Sequence, residues 1–360
     1  MAPGWLAPRS CAAAGIRSKP EAFAFGSHYH RLPTVPHDRP AQPLLLRSRV
    51  PATAAGVLLL DFLVRRFPYH GRDRWIEELA AGRVQVAGRP ASASTVLRRG
   101  DDLAYEKQHR EPWVDDRISI LHEDAAVFVV DKPAHLPMHA DGPFVRSTLI
   151  HLLRQRTGSP ELALVHRLDR ETSGVCVVPR TAASRASLHR QFESATVRKE
   201  YTALVAGTVA GAFTIDTPIG RAPGSTVSLR RTAGPDALAP QPAATSFETL
   251  RQGKGGTLLR CVPHTGRTHQ IRVHLASIGL PILGDKLYGR SDEAYLAFVR
   301  AVKRSGDPRL GTDSGPHRQL LHASALSFTH PETGATVTFH APLPTEFEQW
   351  LAGEGGAVGG

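Results

Sequence analysis

Leu162-Ala163-Leu164-Val165-His166-Arg167-Leu168-Asp169-Arg170-Glu171-Thr172-Ser173-Gly174-Val175-Cys176-Val177-Val178 sets a short charged turn between two apolar runs. The pattern predicts two strands whose polar connection sits at the edge of a sheet, held where a substrate can reach it. Asp169 lies between two guanidiniums, Arg167 and Arg170, and flanking cations favour the charged form of an acid. A fixed, ionised and accessible carboxylate can act as nucleophile or base. The plainer alternative is an aspartate that caps its turn and pairs with the neighbouring arginines.

Working outward, strand-like runs surround this turn. Ile118–Leu121 and Ala126–Asp131 precede it, with a helix expected around Leu149–Arg156. Ala182–Phe192 has helical spacing, and Val197–Val205 alternates as a strand does. Phe247–Leu250 and Thr257–Val262 resume the sheet, and Leu321–Phe339 offers two strands joined at His330-Pro331-Glu332-Thr333-Gly334. Residues 221–244, rich in Gly, Pro and Ser, read as a long mobile loop. The body is therefore expected to be α+β, a mixed and mostly antiparallel sheet with flanking helices rather than a regular βαβ array.

Ahead of this body, Leu58–Leu63 and Trp75–Leu79 predict two short helices around Pro68-Tyr69-His70-Gly71. Gly82 ends the second, and Arg83–Gly88 begins a small hairpin. The expected organisation is a disordered or poorly ordered basic extension at 1–54, a small helix-hairpin domain at 55–108, the body at 115–348 and a flexible tail at 349–360. The extension is rich in Pro, Ala and Arg and has no acid before Glu21. It shares that bias with transit peptides but has no apolar segment for secretion, so a disordered arm or an early start codon is expected.

Composition narrows the function. The 360 residues are 41% hydrophobic with no apolar run near 18 residues, which argues against a membrane span. Lys and Arg number 44 against 33 Asp and Glu, a formal net charge of +11, and a basic chain favours a polyanion such as nucleic acid. Three scattered cysteines, Cys11, Cys176 and Cys261, give neither a disulfide framework nor a zinc pattern, which fits a reducing cytoplasmic setting. A monomer is the default.

A second charged segment, Pro263-His264-Thr265-Gly266-Arg267-Thr268-His269-Gln270-Ile271-Arg272-Val273-His274-Leu275, follows a strand and opens a helix. Thr265 or Thr268 can cap that helix, and Gly279 with Pro281 ends it. Ile271, Leu275 and Ile278 should face the core. His269 and Arg272 lie beside the helix N-terminus, a favourable place for a phosphate or carboxylate. The alternative is a surface helix with solvated basic groups. His264, His269 and His274 are spaced by five, which turns the helix through about 500° and splays the rings, so no metal is expected. Tyr201 sits on a strand behind Arg198, Lys199 and Glu200. A strand tyrosine is usually a core or rim aromatic, but near a carboxylate and a guanidinium it can move a proton.

Together these segments resemble the RluA-type family of RNA pseudouridine synthases. The resemblance is carried by Val130-Asp131-Lys132-Pro133 with His139, by His166–Gly174, by Lys199-Glu200-Tyr201 and by Gly266–His274, and also by Gln319-Leu320-Leu321-His322-Ala323 and His330-Pro331. It spans roughly residues 117–345 in the expected order. Residues 57–106 resemble, more weakly, a small RNA-binding domain of a ribosomal protein; Val86-Ala87-Gly88 stands where that module has Val-Asn-Gly. The resemblance implies a catalytic domain preceded by an RNA-binding one, with RNA (rRNA or tRNA) as partner and no cofactor. It also implies roles: Asp169 as the essential aspartate, Arg272 as its partner and Tyr201 as the active-site tyrosine. Arg167, Arg170, His139, Arg267, His269, Arg230 and Arg231 are the expected RNA contacts, the last two from a clamp at 221–244.

Two other classes compete. A non-catalytic RNA-binding or assembly factor would lose one of Asp169, Tyr201 and Arg272, and all three are present. A glycoside or phosphate-ester hydrolase would want paired carboxylates or a metal cluster, and Asp169 has no obvious acidic partner at suitable spacing.

Overall fold

The computed structural model describes residues 30–32, 42–307, 309 and 315–355. The described residues begin with β1 (His30–Arg31) and β2 (Gln42–Arg49). It continues through α1 (Leu59–Arg66), α2 (Arg72–Ala80), β3 (Val84–Val86), β4 (Arg89–Pro90) and β5 (Asp102–His109). Leu59, Leu60, Phe62 and Leu63 of α1 and Trp75 and Leu79 of α2 close over Val84, Leu97, Leu103 and Tyr105. These residues form the apolar stripe of each helix, which burial rather than helix propensity holds in place. Ala87 and Gly88, at φ of 50° and 76°, make the two-residue turn that brings β3 back as β4.

The expectation of a disordered extension through residue 54 fails for its last part. β2 pairs antiparallel with β5 from Gln42 opposite His109 to Arg49 opposite Asp102, in a sheet of order β2-β5-β3-β4. Inside a Pro- and Arg-rich stretch, a strand whose Leu45 is exposed carries little periodicity; the open edge of β5 decides its conformation. Earlier residues of that arm lie outside the described ones, except that β1 pairs with the main sheet.

The body runs β6 (Ser119–Glu123), β7 (Val127–Lys132), α3 (Leu149–Thr157), β8 (Ser173–Pro179), α4 (Ala182–Glu193), β9 (Arg198–Val205) and β10 (Ala212–Ile215). A small three-stranded sheet follows, β11 (Ile219–Arg221), β12 (Arg231–Ala233) and β13 (Leu238–Gln241). The chain closes with β14 (Thr245–Gly253), β15 (Gly256–Pro263), α5 (Gln270–Ser277), α6 (Asp292–Ser305), β16 (Leu321–Thr329), β17 (Thr336–His340) and α7 (Thr345–Ala352). The ten-stranded sheet has the order β1-β6-β7-β8-β16-β9-β15-β14-β10, with β17 on β16. Its described pairs are antiparallel apart from β8 with β16, so the expected α+β class holds.

β8 is apolar along nearly its whole length because both faces of the sheet are covered. Cys176 and Val178 pack with Phe128, Val130 and the Leu149, Leu152 and Leu153 of α3. Val175 and Val177 pack on the other face with Leu188 of α4 and Phe328. Gly174 has no substitute: its φ is 111°, and a Cβ there would lie 2.2 Å from the Ala323 carbonyl of β16.

Four further expectations are corrected. Leu162–Val165 is not a strand, because β7 and β16 already occupy both sides of β8; Leu162 is buried in a loop whose carbonyl takes Arg154 Nε at 2.9 Å. Residues 221–244 are not a mobile loop. They carry β12 and β13 and are tied to the start of α6, where Asp292 Oδ2 accepts from Ser225 Oγ at 2.8 Å and Thr226 N at 2.7 Å. That anchor comes from nearly seventy residues away in sequence, beyond the reach of local composition. Ile278 ends α5 and is 46% exposed rather than in the core. Residues 349–352 belong to α7, whose buried Leu351 docks on the sheet, so the flexible tail does not begin at 349.

Candidate active site

The loop that carries Asp169 enters β8 directly. It is pinned from several sides. Ser173 Oγ and His322 Nδ1 lie 2.8 Å apart, and His166 Nε2 accepts from Val177 N at 3.1 Å while its ring stacks on Phe192 at 4.7 Å. Beneath the loop, the ammonium of Lys132 donates to the carbonyls of Pro133, Leu136 and Arg170 at 2.8, 2.9 and 3.2 Å. Glu171 points away from Asp169 and takes Arg170 Nη2 at 2.9 Å, Lys286 Nζ at 3.2 Å and Gln319 N at 3.0 Å. Burial opposes the charge on Glu171, but Lys286 and Arg170 outweigh it and hold the carboxyl down at about 2.

Arg272 reaches this loop from the first turn of α5. The turn before it is not closed by Thr265 or Thr268. His269 occupies the cap position at φ 57° without a capping bond, and Gln270 Oε1 instead accepts from Thr265 Oγ1 at 2.6 Å and Arg267 N at 3.0 Å. Arg272 Nη1 donates to Asp169 Oδ2 at 2.7 Å. Its Nε and Nη2 donate to the two oxygens of Asp285 at 2.7 and 2.9 Å, and Asp285 Oδ1 also takes the backbone N–H of Leu287 and Tyr288. One guanidinium therefore bridges two carboxylates: a buried one in the bidentate mode, and Asp169 through a single bond. Gln319 Nε2 adds a longer bond to Asp169 Oδ2 at 3.4 Å. Among the described residues Asp169 Oδ1 has no donor that close; His269 Nε2 is 3.8 Å away, and His269 Nδ1 lies 2.8 Å from Tyr288 Oη.

Burial works against ionising Asp169, yet His269, Arg272 and Gln319 together hold its carboxyl well below the usual carboxylate range. Burial also keeps His269 neutral, down at about 4, so at neutral pH the task falls to Arg272 and Gln319. Tyr201, on β9, is pushed above its ordinary value by burial first, then by Cys176 and Asp169, and stays a phenol. Asp169, Tyr201, Arg272, Arg267 and His269 line one cavity of about 330 Å³, with Arg167 exposed at its mouth.

Other expected contacts fall elsewhere. Arg170 turns from Asp169 to Glu171 and lies over the Phe144 ring at 5.8 Å. The plainer alternative, in which Asp169 pairs with its flanking arginines, fails; its partner is Arg272, 103 residues away, the pairing the resemblance implies. His139 is exposed on an adjoining groove that shares Val165, His166 and Arg167 with the cavity. Arg230 pairs with Asp292 and donates to the Arg290 carbonyl, and Arg231 donates to the Ser228 and Arg230 carbonyls, so both serve the small sheet. Arg267 is within the cavity wall but spends its guanidinium on Pro242 O and Gln241 Oε1. Asp285 and Gln319 carried no role in the sequence reading. For Asp285 the available signal was Gly284-Asp285 ahead of two backbone N–H groups, an Asx-turn pattern.

The three histidines spaced by five find separate partners: His264 with Ser246, His269 with Tyr288, His274 with Thr245 and Thr217. Folding gathers a different trio, His122, Asp124 and His330. Both Nε2 atoms lie against Asp124 Oδ2, at 2.8 and 2.9 Å, while His330 Nδ1 accepts from the backbone of Glu332 and Thr333. An accepting Nδ1 leaves the His330 proton on Nε2, facing Asp124, so His330 is tied into this trio by hydrogen bonds.

Burial holds His166, His269 and His322 neutral, each down at about 4, and His135 at about 3. Unfolded, each takes a proton near 6.5, so between pH 6.5 and 4 the unfolded chain binds more protons, and stability falls as the pH is lowered. The slope is roughly 1.4 kcal/mol per pH unit per histidine at most. Asp131, raised to about 6 by burial, acts the other way, but it is one group against four. Urea titrations should give a clearly lower midpoint at pH 5 than at pH 7.5; equal midpoints would contradict the buried neutral rings.

A family model described as RNA pseudouridylate synthase matches residues 126–277. The chain is 33% identical over 327 residues to a ribosomal large subunit pseudouridine synthase D of Xanthomonas campestris pv. campestris, covering 88% of this chain and 95% of that protein. It is 33% identical to the protein of the same name from Nitrosomonas europaea, over 84% and 86% of the two chains. Among solved structures, human RNA Pseudouridylate Synthase Domain Containing 1 superposes with a TM-score of 0.51 at 28% identity, covering 65% of this chain and 86% of that one.

Proposed function

The chain belongs to the RNA pseudouridylate synthase family and is an isomerase of that kind, and from this we propose that ionised Asp169 isomerises a flipped-out uridine in large-subunit ribosomal RNA. The choice of rRNA over tRNA follows the names of the relatives. The reaction breaks C1′–N1, turns the base, joins C1′ to C5, and moves a proton from C5 to N1. Nothing is oxidised and no group is imported, so no cofactor is called for.

One observation carries the reading. Asp169 is held charged through Oδ2 by Arg272 at 2.7 Å, while among the described residues Oδ1 has no such donor and the group lines an open cavity. That oxygen attacks the anomeric carbon or takes the 2′ proton to form a glycal, and both routes begin from the carboxylate. Tyr201, kept a phenol by burial, offers a face for the extruded uracil to stack on; taking the C5 proton would require its deprotonated form. Extruding the base costs a few kcal/mol, which basic contacts along the backbone repay. Exposed Arg65, Arg66, Arg98 and Arg99 on the small domain supply some of them. No helix among the described residues is long and apolar enough to cross a membrane. We take the protein to work in the cytoplasm as a monomer.

The test is chemical mapping of pseudouridine in total RNA from cells with and without the gene. A large-subunit rRNA position should lose its modification in the deletion strain and regain it with the wild-type gene. Loss confined to tRNA would overturn the substrate assignment, and an unchanged map would overturn the activity.

A further inference from the structure

We infer that Lys199 holds an RNA phosphate immediately beside the uridine being isomerised, as a binding group distinct from the Asp169–Arg272–Tyr201 set. This rests on the proposed rRNA-modifying function and assigns part of the substrate grip within it. Lys199 lies on β9 two residues before Tyr201, and both line the cavity that contains Asp169. Residues two apart on a strand face the same side, about 7 Å from one another. That is the reach from a base stacked on Tyr201 to the phosphodiester of its own nucleotide.

Among the described residues the ammonium has no partner. Lys199 is mostly buried, yet among the described residues it makes no hydrogen bond or ion pair, and burial alone lowers its pKa, with no acid raising it. The other lysines of this region differ: Lys132 has three carbonyls and Lys286 has Glu171. The adjacent acid, Glu200, is committed to Arg260 at 2.6 and 2.9 Å. A Cβ on Gly266 would lie 3.7 Å from Lys199 Nζ, so the ammonium sits over the bare backbone that leads into α5. A desolvated cation without a counter-ion is costly, and the cost is recovered only when an anion arrives. The anion this substrate brings is phosphate. Arg167 is also without a partner among the described residues, but it is exposed, so water already satisfies it.

The test uses the full chain and an rRNA fragment that wild type modifies; failure of wild type on every rRNA fragment would count against the proposed function, not against this assignment. Lys199→Met should raise KM about tenfold, change kcat by less than about threefold, and flatten the slope of log KM against log salt by about 0.7–0.9. Lys199→Arg should restore most of the affinity and the slope. A neutral methylphosphonate at the phosphodiester flanking the target uridine should weaken wild type to the level of Lys199→Met and leave that variant no weaker than before. A collapse of kcat with KM and salt slope unchanged would make Lys199 a proton-transfer group and overturn the phosphate assignment. If Lys199→Met fails to fold, the methylphosphonate series on wild type and Lys199→Arg decides: no loss at either flanking position ends the proposal.

Discussion

Asp169→Asn should lower the rate of pseudouridine formation by about four orders of magnitude or more while RNA affinity stays within a few-fold of wild type. The amide keeps the shape and can still accept from Arg272 through its one oxygen, but it offers the substrate an NH2 group in place of a carboxylate oxygen. It is neither a nucleophile nor a base. The fold should survive, because Arg272 keeps its paired bonds to Asp285 at 2.7 and 2.9 Å and is not left as an uncompensated charge. Single-turnover assays on the modified rRNA fragment, with binding measured in parallel, separate the two quantities. A variant that isomerises at a rate comparable to wild type would remove Asp169 from the chemistry altogether.

Arg272→Met should be more disruptive, because it strikes both carboxylates. Asp285 would be left buried with only two backbone N–H groups, and Asp169 would lose the cation that outweighs its burial. Removing one partner of a buried ion pair costs about 3–5 kcal/mol, so a large fall in unfolding midpoint is expected. Arg272→Lys is the milder companion. An ammonium keeps the charge but cannot present the fork that spans Asp285 and Asp169 together. Asp169 should then titrate at higher pH than in wild type, and the pH–rate profile should gain an acid limb: activity falls as pH drops and the carboxylate takes up its proton. A profile that keeps the wild-type shape would show that Arg272 does not govern the ionisation of Asp169.

The family resemblance named the three residues that meet around the cavity, while residue pattern alone set the α+β class and the paired helices of α1 and α2. These are properties of local pattern: apolar spacing fixes which face is buried, and charged turns between apolar runs mark where chemistry can be exposed. Pairing was a different matter. Arg167 and Arg170, next to Asp169 in the chain, do not hold it; Arg272 does, a pairing the resemblance implied and no local spacing gave. Asp285 was invisible as a participant because its meaning lies in the guanidinium it orients, brought from α5 by the route through β15. Residues 221–244 looked loose by composition and are ordered by Asp292 on a helix that local pattern did not announce. β2 looked like part of an arm and is a strand because β5 has an edge to fill. Periodicity and residue type are written along the chain, so the sequence determined the elements and the reactive groups. Which charge meets which across the fold depends on distances that exist only after the sheet has closed, and beyond the Asp169–Arg272 pair that the resemblance implied, the tertiary structure decided that.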